Sequence, residues 1–209
     1  MDTRNPAQRI EIGADVIGRD GNKLGSVAYV VVQPPQLHLT DIVVATGTLL
    51  GRDIVVPVDA VERIADGKVY LSVDQRELSA FEDYVDIQYK QPPEDWIPVS
   101  GFIYPTQGTL WPADLYYPQV SEVRVNAPAG TVGLSEGMEV ESSDGHKVGS
   151  IVALDTDPSS GDVTGIVIQH GLLFRHDTRI SVEDVADVSK ERVALKLTKD
   201  EVRRREKAG

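Results

Sequence analysis

The four histidines are the side chains best suited to proton transfer or metal binding near neutral pH. They are His38, His146, His170 and His176. His170 and His176 are six residues apart and Asp177 follows directly, so these three residues could in principle hold a divalent metal. The residues between the two histidines equally suit a surface loop, and we favour the loop.

The acidic string from Asp155 to Asp162 is a second candidate, because its oxygens alternate as they do at the start of a calcium loop. Two positions depart from that pattern. Ser160 stands where the sharp-turn glycine belongs, and Ile166 stands where a glutamate should close the coordination shell. We therefore predict a turn between two strands here, with weak calcium binding as the alternative.

Motifs for covalent or phosphate chemistry are missing from the sequence. There is no cysteine, which excludes disulfides, thiol nucleophiles and cysteine-ligated metals. There is also no G-x-S-x-G, G-x-x-x-x-G-K-[ST] or G-x-G-x-x-G segment. We predict a protein that is not an enzyme, with no catalytic residue, no resident metal and no cofactor.

The net charge of the chain limits the kinds of molecule that it can bind. The chain has 33 acidic residues against 21 Lys and Arg among 209 residues, a net charge of −12. Such a field repels phosphate backbones, so we expect no general nucleic-acid binding. No apolar stretch approaches the about 20 residues that a bilayer span needs, so we expect no membrane insertion and a cytoplasmic location.

The elements that must position these residues come in two copies. A shift of 124 residues aligns residues 12–78 with 136–202 without a gap, and 19 of the 67 positions are identical. The identities are mainly turn formers and apolar strand positions, while none of the four histidines is repeated. The copies therefore share a fold rather than a reactive site.

Each copy is predicted to be a set of short strands. Asp20-Gly21 and Asp144-Gly145 each mark a tight hairpin turn, and β-branched runs follow in both copies. Five or six short strands in about 70 residues predict a small closed barrel, so the fold class is all-β. The segments Asp74 to Phe81 and Thr198 to Lys207 are predicted to be closing helices, the first with an Asp74/Glu77 capping box.

The motifs of the first copy resemble those of the PRC-barrel family. They are G-x-x-V at 13–16, D-G-x-K-x-G-S-V at 20–27, I-V-V-x-x-G-x-L at 42–49, V-P-V-D-A-V at 56–61 and V-x-L-S at 69–72. The second copy is similar but has Ser181 in place of the proline of V-P-V. The resemblance implies two PRC-like barrels in tandem. It also implies a binding or assembly module, because the family has no common active site.

The segment between the copies has its own composition. It spans 91–135, between a first domain at 1–90 and a second at 136–209, and holds 7 of the 12 prolines and 6 of the 12 aromatic residues. The aromatic residues are Trp96, Phe102, Tyr104, Trp111, Tyr116 and Tyr117. We predict that this Pro/aromatic-rich segment packs against or between the barrels, and the alternative is an exposed adhesive surface.

These features favour a non-enzymatic protein that works through protein–protein contacts or self-association. The protein partner is not identified by the sequence. Two similar barrels in one chain can pack about a pseudo-two-fold axis, as the subunits of a dimer do. The alternative is a small-ligand or metal-binding regulator whose pocket lies between the copies and is lined by Trp96 or Trp111.

Overall fold

The computed structural model of the protein describes residues 8–47, 51–89, 121–170 and 176–206. The first half of the chain contains β1 (Gln8–Glu11), β2 (Asp15–Ile17), β3 (Lys23–Gln33), β4 (His38–Ala45), β5 (Asp53–Pro57), β6 (Val61–Ala65), β7 (Lys68–Leu71), α1 (Gln75–Leu78) and β8 (Val85–Tyr89). The second half contains β9 (Ser121–Val125), β10 (Val132–Ser135), β11 (Glu139–Glu141), β12 (Lys147–Thr156), β13 (Val163–His170), β14 (His176–Ser181), β15 (Val185–Val188), β16 (Arg192–Leu195) and α2 (Lys199–Glu206).

These strands form two sheets of seven strands and one sheet of two. The first large sheet has the order β5-β4-β3-β2-β7-β6, with β10 added on β3. The second has the order β14-β13-β12-β11-β16-β15, with β1 added on β12. In each sheet one pair is parallel, β2 with β7 and β11 with β16. The all-β prediction, with a duplicated set of strands and two short helices, is confirmed. The separate sheet pairs β8 with β9.

A tight Asp-Gly hairpin turn lies near the start of each copy. Gly21 and Gly145 occupy the predicted hairpin turns with φ of +81° and +77°, values that a side chain would strain. Asp20 supports the first turn by accepting a hydrogen bond from the Asn22 backbone N–H at 3.1 Å. The Asp-Gly hairpins are therefore confirmed in both copies.

The core of each copy uses matching positions. Val30, Ile42 and Val56 are fully buried in the first copy, and their equivalents Leu154, Ile166 and Ile180 are fully buried in the second. Alternate residues of the central strands thus face inward, as the period of two requires. Each core has a buried helical residue as well, and these residues also match between the copies: Leu78 of α1 and Val202 of α2.

The first helix is shorter than the predicted Asp74 to Phe81. The capping box is present, because the Asp74 side chain accepts from the backbone of the first turn and the Glu77 side chain accepts from the Asp74 N–H. The helix nevertheless ends at Leu78, and Phe81 lies in a bend beyond it. The chain must turn there because residues 82–84 pair with β5.

The two copies exchange a strand. β1, which precedes the first copy, pairs with β12 of the second, and β10, which precedes the second copy, pairs with β3 of the first. Ile10 lies opposite Leu154 and Leu134 lies opposite Val30, and the two pairings are related by the same 124-residue shift. Each sheet is therefore completed by a strand that belongs, by the repeat, to the other copy.

A pair of backbone hydrogen bonds also joins the two copies, and the repeat relates these two bonds to each other. The Leu39 N–H donates to Gly161 O, and the Val163 N–H donates to Leu37 O, both at 3.1 Å. Residues 37 and 39 are the repeat equivalents of 161 and 163. When residue i of one copy contacts j of the other and j contacts i, the interface has the pattern of an isologous dimer.

Candidate functional site

The aromatic residues of the predicted interaction surface lie outside the described residues. They are Trp96, Phe102, Tyr104, Trp111, Tyr116 and Tyr117. A pocket lined by Trp96 or Trp111 lies outside the described residues for the same reason. The aromatic surface, the pocket and the boundaries at 90 and 135 stay predictions from the sequence.

His170 and His176 lie close together at the facing ends of β13 and β14. Their ring centroids are 6.0 Å apart in an edge-on arrangement, and His170 Nδ1 donates to the His176 carbonyl oxygen at 3.0 Å. Asp177 does not complete a set of ligands, because its carboxylate accepts a hydrogen bond from Gln169 Nε2 at 3.1 Å. Within the described residues, no three His, Asp or Glu side chains are placed to hold a metal ion.

Most of the acidic string, from Asp157 to Asp162, forms the predicted turn between β12 and β13. Its carboxylates have separate partners. Asp157 accepts from the Ser159 backbone N–H at 2.8 Å, and Asp162 accepts from His38 Nδ1 at 3.0 Å. Asp155 lies in the strand itself and contacts two arginines. These oxygens stabilise a turn and bind cationic side chains of the chain.

Asp155 is the centre of the most buried ion cluster that the structure describes. It accepts from Arg9 Nε at 2.8 Å and from Arg179 Nε at 2.7 Å, while only 6% of its side chain is exposed. Burial alone would raise the pKa of this carboxyl, but the hydrogen bonds from Arg9 and Arg179 outweigh burial and the pKa is lowered. Because Arg9 lies in the exchanged strand β1, the cluster joins the two copies.

Gly165 makes room for this cluster. A Cβ atom at Gly165 would lie 2.9 Å from Cζ of Arg179 and 2.9 Å from the Ile180 carbonyl oxygen, too close for a carbon atom. The sequence pattern did not reveal the cluster, because Arg9 precedes the region that the repeat aligns. One signal was present: the repeat equivalent of Asp155 is Val31, so an acid replaces an apolar residue in the middle of a strand.

The acids that both copies share have structural roles where the structure shows their contacts. Glu77 closes the capping box of α1. Its equivalent Glu201 accepts from the backbone N–H and the hydroxyl of Thr198, both at 2.8 Å, which lowers the pKa of the Glu201 carboxyl. These acids therefore stabilise helix N-termini.

A concave, basic surface lies where α2 meets the strands of the second copy. We call it the α2 groove. It has a volume of about 330 Å³ and is lined by Lys147, Val148, His170, His176, Lys199, Val202 and Arg203. None of these lining residues is acidic, although the chain as a whole has a net charge of −12.

The outer edge of β5 in the first copy is paired. The Val55 N–H donates to Glu82 O at 2.9 Å, and the Tyr84 N–H donates to Asp53 O at 2.6 Å. The chain after α1 thus satisfies the backbone of this edge strand, which blocks the addition of another strand at these residues.

The equivalent edge of β14 in the second copy differs. Asp177 and Arg179 are the repeat equivalents of Asp53 and Val55, and β14 has the same register on β13 as β5 has on β4. Their outward backbone groups have no partner within the described residues. The repeat equivalents of residues 82–84 are residues 206–208. Glu206 is the last residue of α2, whereas α1 stops at Leu78, and residues 207 and 208 lie outside the described residues.

Comparison with known proteins gives the family. Among the described residues, neither helix is long and apolar enough to cross a membrane. No curated protein matches the chain. The family model of the PRC-barrel domain matches twice, at residues 12–78 and 136–202, which are the two copies that the repeat defines. With both sheets built on the same plan and both copies matched, the chain belongs to the PRC-barrel domain family, in a tandem duplication.

Proposed function

We propose that this protein is a non-enzymatic assembly module that acts through protein–protein contacts, and that it associates with itself through β14. The PRC-barrel domain is a general module, so the function must come from what this chain adds to it. The observation that carries the proposal is the edge of β14, whose outward backbone groups have, within the described part of the chain, none of the partners that β5 has.

Another molecule of the same protein fits this edge. Two β14 strands can pair antiparallel about a two-fold axis through Thr178, which places Asp177 of one chain opposite Arg179 of the other. In this register the outward N–H and C=O groups of both residues form backbone hydrogen bonds. Opposite charges that face each other across an antiparallel pair are favourable.

The described polar residues support a role without catalysis. Asp155, Glu77 and Glu201 contact arginines or cap helices, as their hydrogen bonds show. The proposal also includes a cytoplasmic location. The net charge of −12 supports its remaining part, the lack of general affinity for nucleic acid.

The test is the oligomeric state of the Asp177→Pro variant, measured by sedimentation over a range of protein concentrations. Proline removes the outward N–H of Asp177, which has no partner in the described residues, and is tolerated at sheet edges. We expect the wild type to form dimers and the variant to dissociate, with at least about a tenfold weaker dimer constant.

Asp177→Asn is the matched control, because it removes the same charge and keeps the N–H. It loses only the exposed charge pair with Arg179, so it should weaken the dimer clearly less than Asp177→Pro does. At a concentration where the wild type is monomeric, both variants should keep its thermal stability to within a few degrees. A wild type that stays monomeric at every concentration overturns self-association. Equal dimer constants for Asp177→Pro and the wild type overturn the choice of β14.

A further inference from the structure

We infer that the α2 groove of the second copy binds a small phosphate monoester as its dianion. The inference is independent of strand pairing at β14. It rests on the position of five basic side chains around an apolar floor, and on the comparison of this surface with its equivalent in the first copy.

The groove is built by three parts of the second copy. Lys147 begins β12, while His170 and His176 lie at the adjacent ends of β13 and β14. Lys199 and Arg203 are four residues apart on α2, so they extend from the same face of the helix. Val148 and Val202 form the floor, and Val202 is fully buried. The floor is fixed by the core, which holds the basic side chains around one concave surface.

Two of the cations are not neutralised. Neither Lys199 Nζ nor the Arg203 guanidinium forms an ion pair with a described residue. Lys147 Nζ contacts Glu139 at 3.2 Å, but both side chains are about half exposed, so this pair is weak. The Asp144 carboxylate accepts from the Lys199 backbone N–H and leaves the ammonium group of that lysine without a carboxylate.

The first copy shows that the fold does not require these charges. Its equivalent floor, Leu24 and Leu78, is equally apolar and buried. The equivalents of His170, Lys199 and Arg203 are the neutral residues Thr46, Gln75 and Ser79.

The two cations that do remain in the first copy are paired. Arg52, the equivalent of His176, contacts Asp83 at 2.6 Å, and Lys23, the equivalent of Lys147, contacts Asp15 at 2.6 Å. The Lys23–Asp15 pair is the repeat equivalent of the Lys147–Glu139 pair, so this lysine and its carboxylate are common to both copies. What the second copy adds is Lys199 and Arg203, which have no carboxylate partner among the described residues and which are neutral residues in the first copy.

The size and charge of the groove select the ligand. A volume of about 330 Å³ holds a small organic phosphate. Arginine and lysine bind phosphate oxygens through charge-assisted hydrogen bonds. The acidic field of the whole chain repels extended polyanions and anionic membranes, which leaves a small ligand as the favoured class.

The test is a titration of the full chain with glycerol phosphate, and separately with inorganic phosphate, at constant ionic strength. The NMR signals of the histidine rings report on the site. We expect saturable shifts for His170 and His176, and none for His38, which lies outside the groove. Single-stranded RNA and vesicles with phosphatidic acid serve as polyanion probes.

Variant Lys199→Gln/Arg203→Ser gives the groove the residues of the first copy, and should weaken binding of glycerol phosphate about tenfold or more. The control Lys68→Gln/Lys190→Gln makes the same change in net charge outside the groove and should bind like the wild type. Equal affinities of the two double variants for glycerol phosphate overturn the site. The site is also overturned if the NMR signals of all four histidines shift in proportion to ligand concentration without saturating. Binding of RNA or vesicles without binding of glycerol phosphate overturns the ligand class.

Discussion

The two copies have the same strand register and differ where the strands meet solvent. β3 and β12 each receive the exchanged strand of the other copy, at equivalent residues. The first copy has a paired edge at β5, and the neutral residues Gln75 and Ser79 stand at the positions of Lys199 and Arg203. The second copy has the basic α2 groove, and the edge of β14 has no partner among the described residues. The shared positions set the fold, so the differing positions are where a binding function can lie.

The outward faces of the two sheets also differ at one equivalent point. Asp155 binds Arg9 and Arg179 in the second copy, beside Gly165. The first copy has no charge at the equivalents of these three residues. Instead, the ring centroids of Tyr29 and Tyr84 lie 5.0 Å apart, and the Tyr84 hydroxyl lies 2.7 Å from where a Cβ atom of Gly133, the equivalent of Arg9, would be. One copy uses an ion cluster and the other an aromatic pair beside the exchanged strand.

Asp41, the repeat equivalent of Gly165, is a buried carboxylate. Asp41 is 7% exposed, and its Oδ2 has no hydrogen-bond partner within the described part of the chain. The contrast with Gly165 shows how far the copies have diverged at this point, since a Cβ at Gly165 would lie 2.9 Å from the Ile180 backbone carbonyl oxygen and 2.9 Å from the Arg179 guanidinium, and the first copy has Val55 in place of that arginine.

The largest loss of stability is expected from substitutions in the exchanged strands β1 and β10. Ile10→Ala and Leu134→Ala each remove a side chain that is at most 1% exposed, and each should lower the free energy of unfolding by about 2–5 kcal/mol. Urea unfolding followed by circular dichroism measures both. Because each strand completes the sheet of the other copy, each variant should still unfold in one transition.

Val85→Ala is the control for these two variants, because Val85 is 40% exposed and should change stability by about 0.5 kcal/mol or less. Two separate transitions in Ile10→Ala, one for each copy, would show that the exchange does not couple the copies. A large difference between Ile10→Ala and Leu134→Ala would break the equivalence of the two exchanged strands.

A smaller effect is expected at the ion cluster, which only the second copy has. Asp155→Asn should cost about 1–3 kcal/mol, since Arg9 and Arg179 lose a charged acceptor but are themselves half exposed. The lowered pKa of Asp155 stabilises the fold at pH values above the ordinary 3.8, and that stabilisation is lost as the pH falls through the lower pKa of the folded state.

The difference in stability between wild type and Asp155→Asn should therefore be constant near neutral pH and shrink below pH 3.8, measured by urea unfolding at each pH. Asp59→Asn removes an exposed acid as a control and should have little effect. A difference that stays constant into acid would contradict the assignment of the ion cluster as a stabilising contact.

The smallest effect is expected at His38. Its contact with Asp162 joins the two copies, but both side chains are about half exposed, so His38→Gln should cost less than about 1 kcal/mol. The neighbouring backbone bonds from Leu39 and Val163 remain in this variant. Thermal unfolding is the measurement, and a loss above 2 kcal/mol would show that the side-chain pair holds the copies together.

Most of the fold follows from the sequence, because turn glycines such as Gly21 and the alternating apolar positions of β3 and β4 are local signals. The capping box at Asp74 and Glu77 is equally local and was predicted correctly. The strand exchange is not local. Ile10 and Leu134 are apolar strand residues whichever sheet they join, so the repeat predicts their burial and leaves their partner open.

The candidate sites were harder to predict for the same reason. The α2 groove brings together Lys147, His170, His176, Lys199 and Arg203, which lie up to 56 positions apart in the sequence. The sequence offers His170 and His176 as metal ligands or as part of a surface loop, favours the loop, and gives no reason to connect them with Lys199 or Arg203. Only the packing of α2 on the barrel shows that they share one surface. The Asp155 cluster depends on Arg9, 146 residues away.

The exchanged strands also constrain the order in which the molecule can form during synthesis. When the ribosome has made the first copy, the place of β10 on β3 is empty and β1 has no sheet to join, because its partner residues 153–156 do not yet exist. Contacts this distant along the chain form slowly, and an incomplete sheet exposes an unpaired edge meanwhile. Two nascent chains on neighbouring ribosomes could fill these places for each other, so chaperone binding is expected to matter most in this interval.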